Sequence, residues 1–447
     1  MRFLPLFLSL ALATAAWSAG SATDPIRLHP ENPRRFLFRG QPTVLLTVGE
    51  SYGSLINGRF DFHPYFNVLA ADGLNHTRVF AGTFRAAAPA GTGLSPRGRH
   101  DAVLPWAWSD QPGGFDGVKF DLDRWNPAYF ERLQALLTAA GERGIVVELV
   151  LFCSYYNDRQ WDADPLNAAN NIQGEGTLRD RREILTLRHP GIVARQRQLV
   201  DRLVRACRDF DNVYFEIANE GYWSNGGPAA VTAADRAAWH QEMIRAVLAA
   251  EAGLPPSRRH MIAINDTFDG LDLSPVSVLN FHYLEDGKFM GAMQALDRVH
   301  LDKALMFDET EFTGSKRVRR YTPADARAEA WEFMLGGGSG YSNLAHEFYQ
   351  PPDEGDTSPA AVQLRSAIGR LKLFLDGLDL VRLRRDTTVL AEPMPPGVFA
   401  RASSDPGKFY AVYFHQSDWG GGKSEKRRPS YEIRPGNYRT DLALHLP

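Results

Sequence analysis

Cysteine is scarce: only Cys153 and Cys207 occur in 447 residues. That excludes a disulfide framework, and neither lies in a Cys-x-x-Cys or Cys/His metal spacing. Both are expected as buried thiols, with pairing in an oxidising compartment left open. Neither sign of charge is in excess: 50 Lys and Arg against 53 Asp and Glu leave a net −3. No long-range field therefore favours nucleic acid or an anionic membrane. The basic runs Arg179-Asp-Arg-Arg182 and Lys316-Arg-Val-Arg-Arg320 are expected to be solvated loop faces. Apolar runs long enough to span a bilayer, about 20 residues, are missing. The single apolar run, Phe3 to about Ala16, follows Arg2 and precedes the small residues Ser18-Ala-Gly-Ser-Ala22. That is the pattern of a secretory signal. Residues 1–22 are therefore expected to be a signal peptide, with export to the periplasm or the exterior and no membrane span once it is cleaved. No Gly-x-Gly-x-x-Gly follows the first predicted strand, and no phosphate loop occurs.

What the chain does have is alternation. Apolar strands are predicted at Thr43-Val-Leu-Leu-Thr-Val48, Asn75-His-Thr-Arg-Val-Phe80, Ile145 to Phe152, Val213 to Ala218, Met261 to Ile264, Val276 to Phe281 and Ala304 to Phe307. A glycine-rich strand or turn follows at Gly336 to Tyr341. Helical spacing lies between most of them, as in Pro127 to Arg143, where Phe130, Leu133, Leu136 and Leu137 mark one face. Near-continuous apolar strands imply burial on both sides, as in parallel sheets. About eight β/α units over residues 23–380 predict an α/β fold, a (β/α)8 TIM barrel. A doubly wound open sheet is the alternative, without a nucleotide motif to support it. From residue 381 to 447 the pattern changes to short strands and Gly, Pro, Ser and Asp turns, predicting a small C-terminal β-sheet domain, open or incomplete. A long Gly, Pro and Trp-rich loop is expected from about Ala81 to Asp123.

Two strands end on carboxylates. Asn212-Val-Tyr-Phe-Glu-Ile-Ala-Asn-Glu220 closes on an Asn-Glu pair, and Lys303-Ala-Leu-Met-Phe307 runs into Asp308-Glu309-Thr310-Glu311. Barrel strands deliver their last side chains to the mouth, where active sites are built. Two carboxyl groups there are what glycosidic cleavage requires: one proton donor, one nucleophile or base. Glu216 lies on the same strand side as Ala218 and Glu220, and is expected as a buried structural carboxylate paired with an Arg.

In these residues the chain resembles clan A retaining glycoside hydrolases, most closely the family 5-like and apiosidase-like barrels, over roughly residues 30 to 380. The resemblance implies Glu220 as acid/base after Asn219, and Glu309 as nucleophile, five residues after Ala304, with Glu311 as its alternative. It implies Asn219 on the sugar 2-hydroxyl, Arg78 (in Asn75-His-Thr-Arg78) and Tyr283 supporting the nucleophile, and His282 as a further substrate contact. The like charge of Glu309 is expected to raise the pKa of Glu220. The family's frequent third-strand His is replaced by Cys153-Ser-Tyr-Tyr156. The tail is similar to the small sheet appended to apiosidase-like barrels.

Loop aromatics are candidates for stacking on sugar faces: Trp106, Trp108, Trp161, Tyr155, Tyr156, Tyr222, Tyr341 and above all Trp223, three residues past the acid/base. Glu50 and Tyr52 are expected near the mouth. The reading is a secreted retaining glycosidase of a polysaccharide or glycoconjugate, cellulase-like, with a carbohydrate as its only partner and no cofactor or metal. Long insertions after the second and third strands favour exo action or short branched substrates. A non-catalytic carbohydrate-binding barrel is one alternative. A metal-assisted hydrolase using Asp308, Glu309, Glu311 and His282 is another, against which stands the lack of His-x-His spacing.

Overall fold

The computed structural model describes residues 24–49, 53–81, 99–224, 226–265, 270–282, 295–310, 322–343, 358–390, 394–395, 397–418, 432–433 and 443–444, with Trp223, Ser417, Asp418, Glu432 and Ile433 described by their backbone alone. Eight strands form one parallel sheet that curls into a barrel: β1 (Leu45–Val48), β2 (His76–Phe80), β3 (Val146–Cys153), β4 (Val213–Asn219), β5 (Ile262–Asn265), β6 (Val278–His282), β7 (Ala304–Glu309) and β8 (Gly340–Asn343). The hydrogen-bonded order runs β1-β8-β7-β6-β5-β4-β3-β2. Between β1 and β2 the ring is closed by one residue. Asn75 donates its backbone N–H to Leu46 O (3.1 Å), and its side chain accepts from Leu46 N (3.0 Å) and donates to Val44 O (2.9 Å). This is the (β/α)8 barrel expected from the alternating pattern.

The outer ring comprises α1 (Phe62–Ala71), α2 (Pro127–Gly141), α3 (Pro190–Cys207), α4 (Ala233–Ala250), α5 (Pro323–Leu335) and α6 (Pro359–Asp376) among the described residues. Their starts are written locally. Asn126 caps α2 with Pro127 in the first turn. Thr232 and Thr322 open α4 and α5 with capping boxes completed by Asp235 and Asp325. Each such cap is worth about 1 kcal/mol. None of the described helices is long and apolar enough to cross a membrane.

The bottom of the barrel is plugged by a three-stranded antiparallel sheet, Arg27–His29, Asn32–Phe38 and Gln41–Thr43. Its Phe36 and Phe38 join Leu45, Val146, Tyr214, Val278 and Met306 in one buried cluster. The hairpin turn uses positive φ at Arg39 and Gly40 (50° and 78°), the two-residue turn that suits strand twist. In β8, a Cβ on Gly340 would stand 2.3 Å from Met306 Sδ and 2.5 Å from Leu45 O, so only glycine leaves room for that packing.

One feature departs from the sequence reading. The expected loop after β2 contains a hairpin, Trp106–Pro112 with Val118–Trp125. Trp106 is buried in the core and Trp108 stacks on Phe120 at 3.9 Å. The two cysteines are free and buried, the buried thiols expected. At the end of the chain, Arg384–Arg385, Val398–Asp405, Phe409–Asp418 and Glu432–Ile433 form a small antiparallel sheet. It docks on α5: Tyr413 stacks on Trp331 at 5.3 Å, Ser403 Oγ donates to Leu335 O (2.7 Å), and His415 pairs with the buried Glu332. Of the two basic runs, Arg181 and Arg182 pair with Asp158 and Asp180, while Lys316 to Arg320 lie outside the described residues.

Candidate active site

Strand alternation sends Arg78 from β2, Glu148 from β3, Glu216 from β4 and His282 from β6 into the barrel centre. Arg78 is fully buried and acts as the hub. Its Nη1 donates to Glu309 Oε1 (2.7 Å), and its Nη2 to Glu216 Oε2 (2.7 Å) and Asn219 Oδ1 (2.7 Å). Its Nε lies 3.1 Å from Asp308 Oδ2 and 3.7 Å from Glu148 Oε2. Guanidinium suits this place because its planar fork serves several carboxylates at once. The expected partner of Glu216 is therefore Arg78. Glu148 is also held by Tyr214 Oη (2.9 Å) and Asn280 Nδ2 (2.5 Å).

Asp308 and Glu309 are consecutive, so an unbroken strand would send them to opposite faces. The β6–β7 register slips between Phe281 and His282, pairing Phe281 with Phe307 but His282 with Glu309. Asp308 is the extra residue. Such a bulge re-aims side chains, and here both carboxylates reach Arg78.

His282 bridges the two carboxylates singled out in the sequence. Its Nδ1 is 3.2 Å from Glu220 Oε1 and 3.4 Å from Glu309 Oε2, while Nε2 is 3.6 Å from Asp308 Oδ2. One oxygen each of Glu220 and Glu309 and a ring nitrogen of His282 lie within 4.8 Å of one another. Glu220 follows β4 directly and adopts a left-handed backbone, φ 49°. For a residue with a Cβ this costs roughly 1–3 kcal/mol. The conformation is held from both sides: its N–H donates to Asn265 Oδ1 (2.9 Å), and its C=O accepts from Ser154 Oγ (2.8 Å).

Two tyrosines complete the environment of Glu220. Tyr156 Oη donates to Oε2 (2.6 Å) and Tyr222 Oη to Oε1 (2.8 Å). Both were legible in the sequence only as loop aromatics. Here they contribute hydroxyls, a role that requires knowing the distance to the carboxylate. Tyr155, by contrast, is buried with its hydroxyl on Asp164, Trp161 is buried, and Tyr341 lies in β8 donating to Glu329 Oε2 (3.0 Å). These three are packing residues. Glu50, Tyr52, Tyr283, Glu311 and the Trp223 side chain lie outside the described residues.

The electrostatics reverse one expectation. Burial pushes the Glu220 carboxyl up, but the hydrogen bond and charge of His282, with the two tyrosine hydroxyls, outweigh it, and Glu220 falls below the ordinary value. Glu309 moves up: burial dominates, and Glu220 and Asp308 add to it against His282 and Arg78. Burial disfavours charge on His282, yet Glu309 and Asp308 hold its imidazolium well above the usual range. Asp308 goes down, because Arg78 and His282 overcome its burial. Glu216 is raised to about 8 by burial, with Glu148 and Asp308 opposing the relief from Arg78. The physical reason for the reversal is that every partner of Glu220 is a donor, and the resting proton sits on the histidine between the two carboxylates.

Two triads could present ligand atoms to a cation: Glu220, His282 and Glu309, and below them Glu148, Glu216 and Asp308. The lower triad already surrounds the Arg78 guanidinium. In the upper one a metal would have to displace a strongly held imidazolium proton and sit close to Arg78.

The barrel fold is matched by solved structures. The chain has the fold of glycoside hydrolase family 5 structures. A family 5 glycoside hydrolase from Bacteroides vulgatus is 13% identical at TM-score 0.54, with 85% of this chain and 77% of that chain covered. Another glycoside hydrolase is 13% identical at TM-score 0.57, covering 89% and 84%. The endo-1,4-beta-mannanase from Rhizomucor miehei is 11% identical at TM-score 0.52, covering 78% and 99%. No protein-family model matches the sequence, and no curated protein matches it.

Proposed function

We propose that this chain is a retaining glycoside hydrolase acting on a polysaccharide or glycoconjugate, with Glu309 as nucleophile and Glu220 as acid/base. The observation that carries the reading is the spacing of the two carboxyl groups. Their nearest oxygens come within 4.8 Å, across a shared histidine. Retaining enzymes hold the pair at about 5–5.5 Å, whereas inverting ones leave roughly 6.5–9.5 Å for a water. The structural likeness to glycosidases, among them a mannanase, supports a β-linked glycan as substrate.

In this reading Glu309 attacks the anomeric carbon. Arg78 Nη1 on Oε1 keeps it ionised and leaves Oε2 for the sugar. The glycosidic bond breaks with its electron pair on the leaving oxygen, which takes a proton from Glu220. That proton comes from His282 Nδ1, 3.2 Å away, once the leaving group enters. Water then cleaves the glycosyl ester, giving its proton to Glu220 and its oxygen to the sugar. Asn219, pinned by Arg78, stands beside both carboxylates, where it can meet the sugar 2-hydroxyl. Export through residues 1–22 and exo action belong to the same proposal; a ladder of internal oligosaccharides from a long polymer would argue against the latter.

The test is a panel of aryl β-glycosides and plant and bacterial polysaccharides with the wild type, Glu220→Gln and Glu309→Ala. The expected result is turnover by the wild type, none by Glu309→Ala without an added small anion such as azide, and a loss of about 10²–10⁴-fold for Glu220→Gln on unactivated substrates. Full activity of Glu309→Ala would move the nucleophile to Glu311. Sugar binding without turnover by any of the three proteins would favour a binding barrel.

A further inference from the structure

Tyr156 lies three residues beyond the end of β3, on the segment where the resemblance would have a histidine. Its hydroxyl makes two contacts of opposite sense. It donates to Glu220 Oε2 at 2.6 Å and accepts from Asn219 Nδ2 at 3.0 Å. Cys153 Sγ sits 3.7 Å from the same oxygen and 3.6 Å from Asn219 Nδ2. One phenol therefore ties the proposed acid/base to the residue beside it.

The backbone that presents this phenol is itself fixed. Tyr156 N–H donates to Gln160 Oε1 (2.7 Å), and Gln160 belongs to a capping box with Asn157 on the helix Asp158–Asp162. Arg181 donates to Tyr155 O (2.8 Å) and Tyr156 O (3.1 Å) and pairs with Asp158. A ring 38% exposed, on a segment clamped at both carbonyls, is preorganised rather than recruited by substrate.

Resting on the glycosidase reading above, we infer that Tyr156 is a positioning residue that clamps Oε2 of Glu220 and so selects Oε1 as the oxygen carrying the catalytic proton. Oε1 is the oxygen beside His282 Nδ1, the source of that proton. Tyr222 also donates to Oε1, at 2.8 Å. Without the Tyr156 hydroxyl the carboxyl can rotate, Asn219 loses a partner, and proton delivery is misaligned.

The test compares wild type with Tyr156→Phe on two aryl glycosides of the sugar that the wild type releases. One carries a dinitrophenyl leaving group, which departs without protonation; the other carries an unsubstituted phenyl. A hydrogen bond to a charged group is worth about 1.5–3 kcal/mol, roughly 10- to 150-fold. The expected result is a loss of that order in kcat/KM on the phenyl glycoside, a change within about threefold on the dinitrophenyl glycoside, and an unchanged thermal melt. Equal losses on both substrates, or no loss on either, would overturn the inference while leaving the glycosidase reading intact. A wild type that releases neither aglycone from any sugar of the panel would remove the glycosidase reading, and the inference with it.

Discussion

Glu216→Gln tests the electrostatic core directly. Glu216 is fully buried, donates nothing to catalysis in the scheme above, and gives up its proton only near pH 8, against an ordinary glutamate value of 4.5. Between those values the folded protein holds one more proton than the unfolded chain at this position. Stability contributed by the protonated carboxyl is therefore complete below 4.5 and is lost as pH rises towards 8. At about 1.4 kcal/mol per pH unit, the interval corresponds to about 5 kcal/mol. Glutamine copies the shape of the protonated acid and cannot ionise. Wild type and Glu216→Gln should thus have similar unfolding free energies at pH 5, and the variant should gain on the wild type by about 4 kcal/mol by pH 8. Asp308 titrates below its ordinary 3.8, outside this window, and His282 is common to both proteins. Denaturant unfolding at unit pH steps measures the difference, and the infrared carbonyl band of a protonated carboxylic acid, absent in the variant, identifies its source. A difference that stays constant with pH, or that turns in favour of the wild type as pH rises, would mean that Glu216 is the ionised partner of Arg78 and that the reasoning fails.

Arg78→Met should be the most damaging change in the barrel: it leaves Glu148, Asp308 and Glu309 without their shared cation and Glu216 without its hydrogen-bond donor. Stripping one partner from a buried charge network costs about 3–5 kcal/mol, read as a lower melting temperature, with activity lost beyond what the melt explains. For wild-type kcat/KM the acid limb should lie above 4.5, because Glu309 is raised, and the alkaline limb above 6.5, because the proton shared with Glu220 resides on His282. His282→Asn removes the positive charge that holds Glu309 down, so the acid limb should move to higher pH; an unmoved limb in the pH profile would contradict the bridge.

The parts of this molecule that repeat with a period were legible in the sequence. Apolar strands of four to eight residues, separated by helical spacing and opened by residues such as Thr322 and Pro323, announce β/α units, and the barrel follows from their number. Strand ends were legible for the same reason, which is why Asn219 and Glu220, and Glu309 with Glu311 as its alternative, could be named as candidates before any coordinates. The hairpin from Trp106 to Trp125 was not, because Gly, Pro and Asp within it read as a loop, and two register irregularities interrupt its alternation. Nor were Tyr156 and Tyr222 separable from other loop aromatics, since stacking and hydroxyl donation use the same residue type.

The bulge at Asp308 is the clearest case of what no local pattern carries. By alternation, only one of Asp308 and Glu309 can face the barrel axis. The slipped pairing with β6 admits both, and with them a carboxylate that binds Arg78 and His282 without reaching the mouth. Together with Glu309, its charge holds His282 protonated, and the protonated His282 holds Glu220 ionised in the free site. The proposed acid/base is therefore charged through the company it keeps, three strands away, rather than through its own Asn-Glu motif. Placing a proton on it requires that company to change, and an entering leaving group that displaces a donor and excludes water makes such a change. On this argument the proton on His282, poised between Glu220 and Glu309, is the resting state of the proposed catalyst, and substrate binding converts it into the working one.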